Sequence, residues 1–268
     1  MTVIKRMSHT SGVALLCTIP LALGLSACGQ ATLPGRLGQL QQIAATCPDG
    51  KKLAVQAATD ESGSDASDAI RTVRIAIIKA AADRALVCGG HLQISAFSDS
   101  SGGAAVLLDR ELPTLPGATE TARLRRAPAA LEQLDASIDA ALATPPVLAQ
   151  RGSDVVGQLR LASEYATSLG VGYQLDAYVL TDGEQNVNLD LVAAAASGQD
   201  MTALAQTIDV PRLAGASLSI AGVGKTAVDP VASTTIDGLV TFYKALCAKT
   251  GAASCTVVTD LSPDAVGR

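Results

Sequence analysis

Apolar residues follow two patterns along this chain: short apolar runs closed by turn residues, and longer stretches with apolar residues at helical spacing. The short runs predict buried strands and the longer stretches predict helices, because the two structures repeat their faces about every 2 and 3.6 residues. Strands are predicted at 53–58, 104–108, 218–223 and 255–259, and, with the turns that close them, at 91–99 and 174–183. Helices are predicted at 37–45, 66–87, 128–142, 154–169, 201–208 and 236–248.

The order of these elements predicts the fold class. Strands and helices alternate, which is typical of a parallel sheet covered by helices on both faces. We therefore predict an α/β fold: a doubly wound, mostly parallel six-stranded sheet in which 104–108 is an antiparallel edge strand. Ser64 or Asp65 is predicted to cap the helix 66–87, and Ser153 to cap 154–169. The stretch 186–213 is predicted to be a loop with one helix.

A candidate metal site follows the first strand. Asp60 is followed at alternate positions by Ser62 and Ser64. A carboxylate and two hydroxyls offer hard oxygen ligands, which suit Mg²⁺, Mn²⁺ or Ca²⁺ better than softer metals. The alternative from this segment alone is an ordinary Asp-Ser-Gly turn that leads into a helix N-cap.

Two later motifs, together with this first one, resemble the motifs of a known family. After the first strand's Asp-x-Ser-x-Ser, a hydroxyl residue opens a helix at Ser153, and another strand ends in Asp182 followed by Gly183. In this order, over about 52–259, the motifs resemble the von Willebrand factor A family, which has Thr where this chain has Ser153. The resemblance implies a metal-ion-dependent adhesion site with the ligands Asp60, Ser62, Ser64, Ser153 and Asp182.

The resemblance also implies an arrangement and a mode of binding. The strand order would be 3-2-1-4-5-6, so that Asp60 and Asp182 meet where the connections change direction, at the carboxyl ends of the strands. The cofactor would be one divalent cation, with Mg²⁺ as the first expectation and Mn²⁺ or Ca²⁺ as alternatives. Neutral hydroxyl ligands leave much of the cation's charge uncompensated, so an acidic residue of a protein partner would complete the shell.

The N-terminus predicts export and anchoring. Lys5 and Arg6 precede an apolar stretch, 13–25, which is too short to span a bilayer comfortably. Small residues then lead to Cys28, and the stretch 25–28 resembles a bacterial lipobox, in which the cysteine is lipidated and becomes the first mature residue. The alternative is a plain signal peptide. We predict a lipoprotein signal peptide at 1–27, a tether and short helix at 28–47, and one domain at 48–268, on the outer face of a membrane.

The remaining cysteines agree with export. Cys47, Cys88, Cys247 and Cys255 allow three pairings. The first two precede the first and second strands, which places both at the same end of a parallel pair of neighbours. The simplest prediction is therefore the pairing of Cys47 with Cys88 and of Cys247 with Cys255.

Composition and motifs argue against several classes of function. The chain has 20 basic and 25 acidic residues, no Trp and two Phe, so neither a basic surface nor aromatic stacking favours nucleic acid as a partner. Residues 222–226 resemble the end of a phosphate-binding loop, but Ser219 stands where its first glycine would be, which argues against a nucleotide. His91 opens the second strand, far from the serines of the motif, so no general base accompanies them and we predict no enzyme.

Two functions remain. The first is a lipid-anchored binding module that recognises an acidic group on a protein partner through its cation. The second is a structural scaffold of an envelope assembly, in which the metal site is degenerate or serves only stability.

Overall fold

The computed structural model describes residues 35–63, 67–144, 146, 148, 152–227 and 230–266. The predicted lipidation residue Cys28 and the predicted ligand Ser64 lie outside the described residues. Every described residue belongs to the same folded unit, residues 34–268.

One sheet organises the described part of the chain. Its strands are β1 Lys52–Asp60, β2 Gly90–Phe97, β3 Ala105–Glu111, β4 Tyr173–Leu180, β5 Ser217–Ala221 and β6 Ser254–Val258. They lie in the order β3-β2-β1-β4-β5-β6, and β3 pairs antiparallel with β2 while the other neighbours are parallel. The α/β class, the six-stranded mostly parallel sheet and the antiparallel edge strand are therefore confirmed.

The predicted helices are present, together with shorter ones. The helices are α1 Arg36–Ala44, α2 Asp68–Cys88, α3 Glu120–Leu124, α4 Ala127–Leu142, α5 Val155–Leu169, α6 Leu191–Ala196, α7 Met201–Thr207, α8 Ser233–Thr250 and α9 Pro263–Val266. The prediction of one helix in 186–213 is wrong, because α6 precedes α7 there. Asp190 starts α6 by accepting a hydrogen bond from Ala193 N at 2.9 Å, which lets a run of alanines form a helix.

Two helix caps differ from the predicted ones. Ser67 caps α2, its Oγ accepting from Ile70 N at 3.2 Å. Asp154 caps α5, its Oδ1 accepting from Gly157 N at 3.0 Å. The predicted caps are therefore wrong, by two or three residues for Ser64 or Asp65 and by one residue for Ser153. The Ser153 hydroxyl consequently serves another contact.

Helices cover the sheet on two sides, as the alternation along β1 shows. Leu53 and Val55 pack into a cluster with α2 and α4, whereas Ala54 and Ala58 pack into a second cluster with α5 and α8. Because successive strand residues point to opposite faces, these two clusters lie on opposite sides of the sheet. This burial on both faces explains why β1 is a nearly continuous apolar run.

The structure contains both predicted disulfides. Cys47 pairs with Cys88 across a Cα–Cα distance of 5.3 Å, and Cys247 pairs with Cys255 across 6.2 Å. Two disulfides indicate a protein that folds outside the reducing cytosol. Among the described residues, no helix is long and apolar enough to cross a membrane.

Candidate metal centre

The predicted site residues lie at the carboxyl ends of β1 and β4, in the centre of the sheet. Asp60 is the last residue of β1 and pairs with Phe97 of β2. On the other side of β1, the preceding residue Thr59 pairs with Leu180, the last residue of β4. Because the strands are parallel, the loops that leave β1 and β4 begin at the same edge.

Three segments meet at the carboxylate of Asp60. Its Oδ1 accepts hydrogen bonds from Ser62 N at 3.0 Å and from Ser153 Oγ at 3.3 Å. Its Oδ2 accepts from Thr181 Oγ1 at 2.7 Å. Asp60 itself is 1% exposed. A buried carboxylate thus gathers a hydroxyl from the loop before α5 and another from the end of β4.

Asn186 fixes the position of Ser153. Ser153 N donates to Asn186 Oδ1 at 2.8 Å, and Asn186 N donates to Ser153 O at 3.3 Å. The neighbouring Asp154 N donates to Ser98 O, in the loop after β2, at 2.7 Å. A Cβ on Gly152 would overlap with Asn186 Oδ1, so glycine there permits the close approach.

Gln185 ties the same two loops together. Its Oε1 accepts from Val156 N, in the first turn of α5, at 2.9 Å, and its Nε2 donates to Val187 O at 2.6 Å. The first turn of a helix leaves its N–H groups without helical acceptors, and the Gln185 carbonyl provides one of them. The loop that carries Asp182 therefore also holds the start of the helix behind Ser153.

Asp182 precedes a turn position that favours glycine. Its Oδ1 accepts from Glu184 N at 2.9 Å. Gly183 has a φ of 81°, and a Cβ there would come within 3.1 Å of Val223 and 3.2 Å of Tyr243. The Tyr243 hydroxyl, on α8, donates to Gly183 O at 2.9 Å and so holds the turn in place.

The electrostatics of the site favour a cation. Burial, and after it the charge of Asp182, raise the pKa of Asp60 from 3.8 to about 6, against the opposing effect of Arg74. Burial and the charges of Asp182, Asp60 and Asp190 raise the pKa of Glu184 to about 6. Two buried carboxylates and a half-buried one therefore repel each other, and a positive ion among them would favour their ionised forms.

The donor set fits a hard divalent cation. Asp60, Ser62, Ser153 and Asp182 are all buried and offer only carboxylate and hydroxyl oxygens, the ligand types of Mg²⁺, Mn²⁺ and Ca²⁺. Within the described residues no three His, Cys, Asp or Glu side chains form a metal-binding group. The ligands that could hold an ion here are thus two carboxylates supplemented by hydroxyls.

Sequence reasoning named Asp60, Ser62, Ser153 and Asp182 and missed the residues that connect them. The structure brings Asp60, Ser62 and Ser153 into hydrogen-bond contact. The missed residues are Thr181, Gln185 and Asn186. The one available signal was the position of Thr181, directly before the Asp-Gly pair; nothing in the sequence indicates that Gln185 and Asn186 reach the start of α5.

His91 lies at the other end of the sheet, as predicted. Its Nδ1 is 3.0 Å from the Tyr165 hydroxyl and 3.3 Å from Asp109 Oδ1. It is the second residue of β2, and Asp60 ends the neighbouring parallel strand. The imidazole is therefore remote from the serines of the candidate metal centre.

Comparison with known proteins gives distant structural similarity only. The sequence matches no protein-family model and no curated protein. Among solved structures, proximal thread matrix protein 1 from the mussel byssus is 15% identical, with 81% of this chain covering 46% of that one at a TM-score of 0.42. The pilus adhesin SpaC from Lactobacillus rhamnosus GG is 13% identical, with 82% of this chain covering 29% of that one at a TM-score of 0.43. The chain spans less than half the length of either, and these values carry no inference about function.

Proposed function

We propose that this protein is a lipid-anchored, extracytoplasmic binding module with a doubly wound fold of the von Willebrand factor A type. It would hold one divalent cation at Asp60, Ser62, Ser64, Ser153 and Asp182 and use it to recognise an acidic group on a protein partner. Mg²⁺ is the first candidate ion, with Mn²⁺ and Ca²⁺ as alternatives.

One observation supports this proposal above all: residues from two segments distant in sequence reach the Asp60 carboxylate, which also contacts its own loop. Ser62, Ser153 and Thr181 all contact it. Such convergence at the carboxyl ends of central parallel strands is typical of ligand sites in open α/β sheets. It is also the arrangement that the resemblance implies.

Some of these residues would bind the ion, and others would hold its ligands in position. Asp60 and Asp182 would supply negative charge, directly or through water, while Ser62 and Ser153 would supply neutral oxygens. When bound, the ion would add positive charge at the carboxyl edge of the sheet, to which an acidic group could be attracted. Asn186 would keep Ser153 in place, because it holds the backbone of that residue on both sides.

The site of action follows from the disulfides and the sequence. The two disulfides support export. The lipobox-like stretch that ends at Cys28 supports attachment to a membrane through a lipid on that cysteine. A single acyl chain binds a bilayer only marginally, so stable attachment would need two or more chains.

Titration calorimetry with Mg²⁺ and Mn²⁺ tests the metal site. Asp60→Ala and Asp182→Ala are each expected to weaken metal binding by about 10- to 100-fold. Asp237→Ala is the matched control, since Asp237 is an exposed carboxylate on α8. Equal affinity in all four proteins, or no binding by the wild type, would contradict the proposal.

A structural scaffold is the second candidate function. The Ser153 and Thr181 hydroxyls already donate to Asp60, so the cluster is held together by protein contacts alone. If an acidic peptide binds the loaded protein and chelation releases it, the binding module is supported. If metal changes the free energy of unfolding but no acidic peptide binds, the scaffold is supported instead.

A further inference from the structure

A cavity lies at the opposite end of the sheet from the candidate metal centre. It has a volume of about 360 Å³ and is formed by the turns that precede β1, β4 and β5, with the end of α5 as one wall. Since these strands are parallel, their amino-terminal ends meet at one edge, away from Asp60 and Asp182.

The walls of this cavity are hydrogen-bonded turns. Lys52 N donates to Gly172 O at 3.0 Å and Tyr173 N to Gly170 O at 3.2 Å, which closes the turn before β4. Leu213 N donates to Thr250 O at 2.8 Å, which fixes the turn before β5 to the end of α8. The cavity is therefore formed by ordered backbone, so a ligand would meet a largely pre-formed site.

Two cationic side chains line this cavity. Lys51 and Arg212 line it, and its described lining residues include no Asp or Glu. Within the described part of the chain neither cation forms an ion pair. This local excess of positive charge occurs on a chain whose net charge is −5. The hydroxyls of Ser163 and Thr167 add further polar groups to the wall.

Part of the lining is apolar. Leu175, Leu213 and Ala216 are buried side chains that form part of the cavity wall. Val171, at the turn before β4, is 97% exposed. A ligand that satisfies this cavity needs a negatively charged head for the two cations and an apolar part for these side chains.

We infer that this cavity binds a phosphate group that carries an apolar substituent. Phosphate suits the site because arginine and lysine both bind its oxygens, and its charge of up to about −2 matches two cations. The same chemistry is found in an anionic lipid head group and in a free organic phosphate. The inference is independent of the proposed function, because no candidate metal ligand lines the cavity.

Protection of Lys51 from an amine-acylating reagent tests the inference on the mature chain in vesicles of digalactosyldiacylglycerol, a bilayer lipid without phosphate, with chelator present. Labelling is measured by peptide mass spectrometry relative to Lys244, an exposed lysine on α8. The probes are inorganic phosphate, phenyl phosphate and vesicles that contain phosphatidylglycerol. Phenyl phosphate is expected to protect Lys51 at a concentration at least about tenfold lower than inorganic phosphate, because its ring buries apolar area.

The variants and probes separate the outcomes. Arg212→Gln is expected to weaken protection about fivefold, the effect of one cation near an anionic membrane surface. Arg125→Gln changes an exposed arginine outside the cavity lining and is expected to leave protection unchanged. Protection by phosphatidylglycerol vesicles alone supports a lipid head group as the source, and protection by phenyl phosphate alone supports a free ligand. Unchanged Lys51 labelling with all three probes, or full protection in Arg212→Gln, would overturn the inference. Because chelator is present throughout, neither result depends on the metal centre.

Discussion

Ionisation of Asp60 is expected to destabilise the metal-free protein, and the size of the effect can be worked out. Burial and the nearby charge of Asp182 raise the pKa of Asp60 from 3.8 to about 6 in the folded protein. A shift of this size corresponds to about 3 kcal/mol between the two protonation states. Replacing Asp60 with Asn removes the titration while keeping the shape of the side chain.

The direction of the effect follows from proton binding. Between the unfolded pKa near 3.8 and the folded pKa of about 6, the folded protein holds more protons than the unfolded chain. Its free energy of unfolding therefore falls as pH rises through this window and is level above it. Below the unfolded pKa both states are protonated and the penalty is absent.

Urea denaturation in chelator at a series of pH values between about 4 and 8 measures this effect. The wild type is expected to lose about 3 kcal/mol relative to Asp60→Asn across the window. Glu184, whose pKa is also raised to about 6, titrates in both proteins, so only the part of its shift that is caused by the charge of Asp60 remains in the difference. Excess Mg²⁺ is expected to restore the wild type at high pH. A difference that is independent of pH in chelator would refute the reasoning.

Three further predictions concern other parts of the chain. Replacing Cys47 and Cys88 with Ser should lower the free energy of unfolding by about 4 kcal/mol, because that disulfide closes a loop with a sequence separation of 41; an unchanged urea midpoint would contradict this. Asn186→Ala should weaken metal binding about tenfold by calorimetry, since it removes the acceptor that positions Ser153, and equal affinity would show that this contact is not needed. Cys28→Ala should release the protein from membranes; normal processing with unchanged sedimentation would argue against the lipid anchor.

The alternation of strands and helices was readable from the sequence because each element carries its own periodicity. The edge strand was predicted at 104–108 but extends over Ala105–Glu111. Its far end carries Asp109 and Glu111, which are polar because that part of β3 is exposed. The alternation of apolar and polar residues is lost where β3 is exposed to solvent. The end of this strand therefore depends on its pairing with β2, which the local sequence does not encode.

The candidate site was readable only in part. Asp60 and Ser62 are two residues apart and form a local turn, so their spacing alone indicated the contact. Asn186 reaches Ser153 from 33 residues away. That contact exists only because two loops leave adjacent ends of the sheet, and neither loop carries a local pattern that predicts it.

The separation between Asp60 and Thr181 has a consequence for how the protein folds. The two residues are hydrogen-bonded although they are 121 residues apart in sequence, so their contact requires β1 and β4 to pair first. Closing so long a loop costs conformational entropy before the contact can stabilise the structure. This cost slows the formation of sheets whose strands are far apart in sequence. The complete candidate cluster therefore forms only when the segments that carry Asp60 and Thr181 have come together. Cation affinity at this cluster would appear late and would serve as a kinetic reporter that the centre of the sheet has assembled.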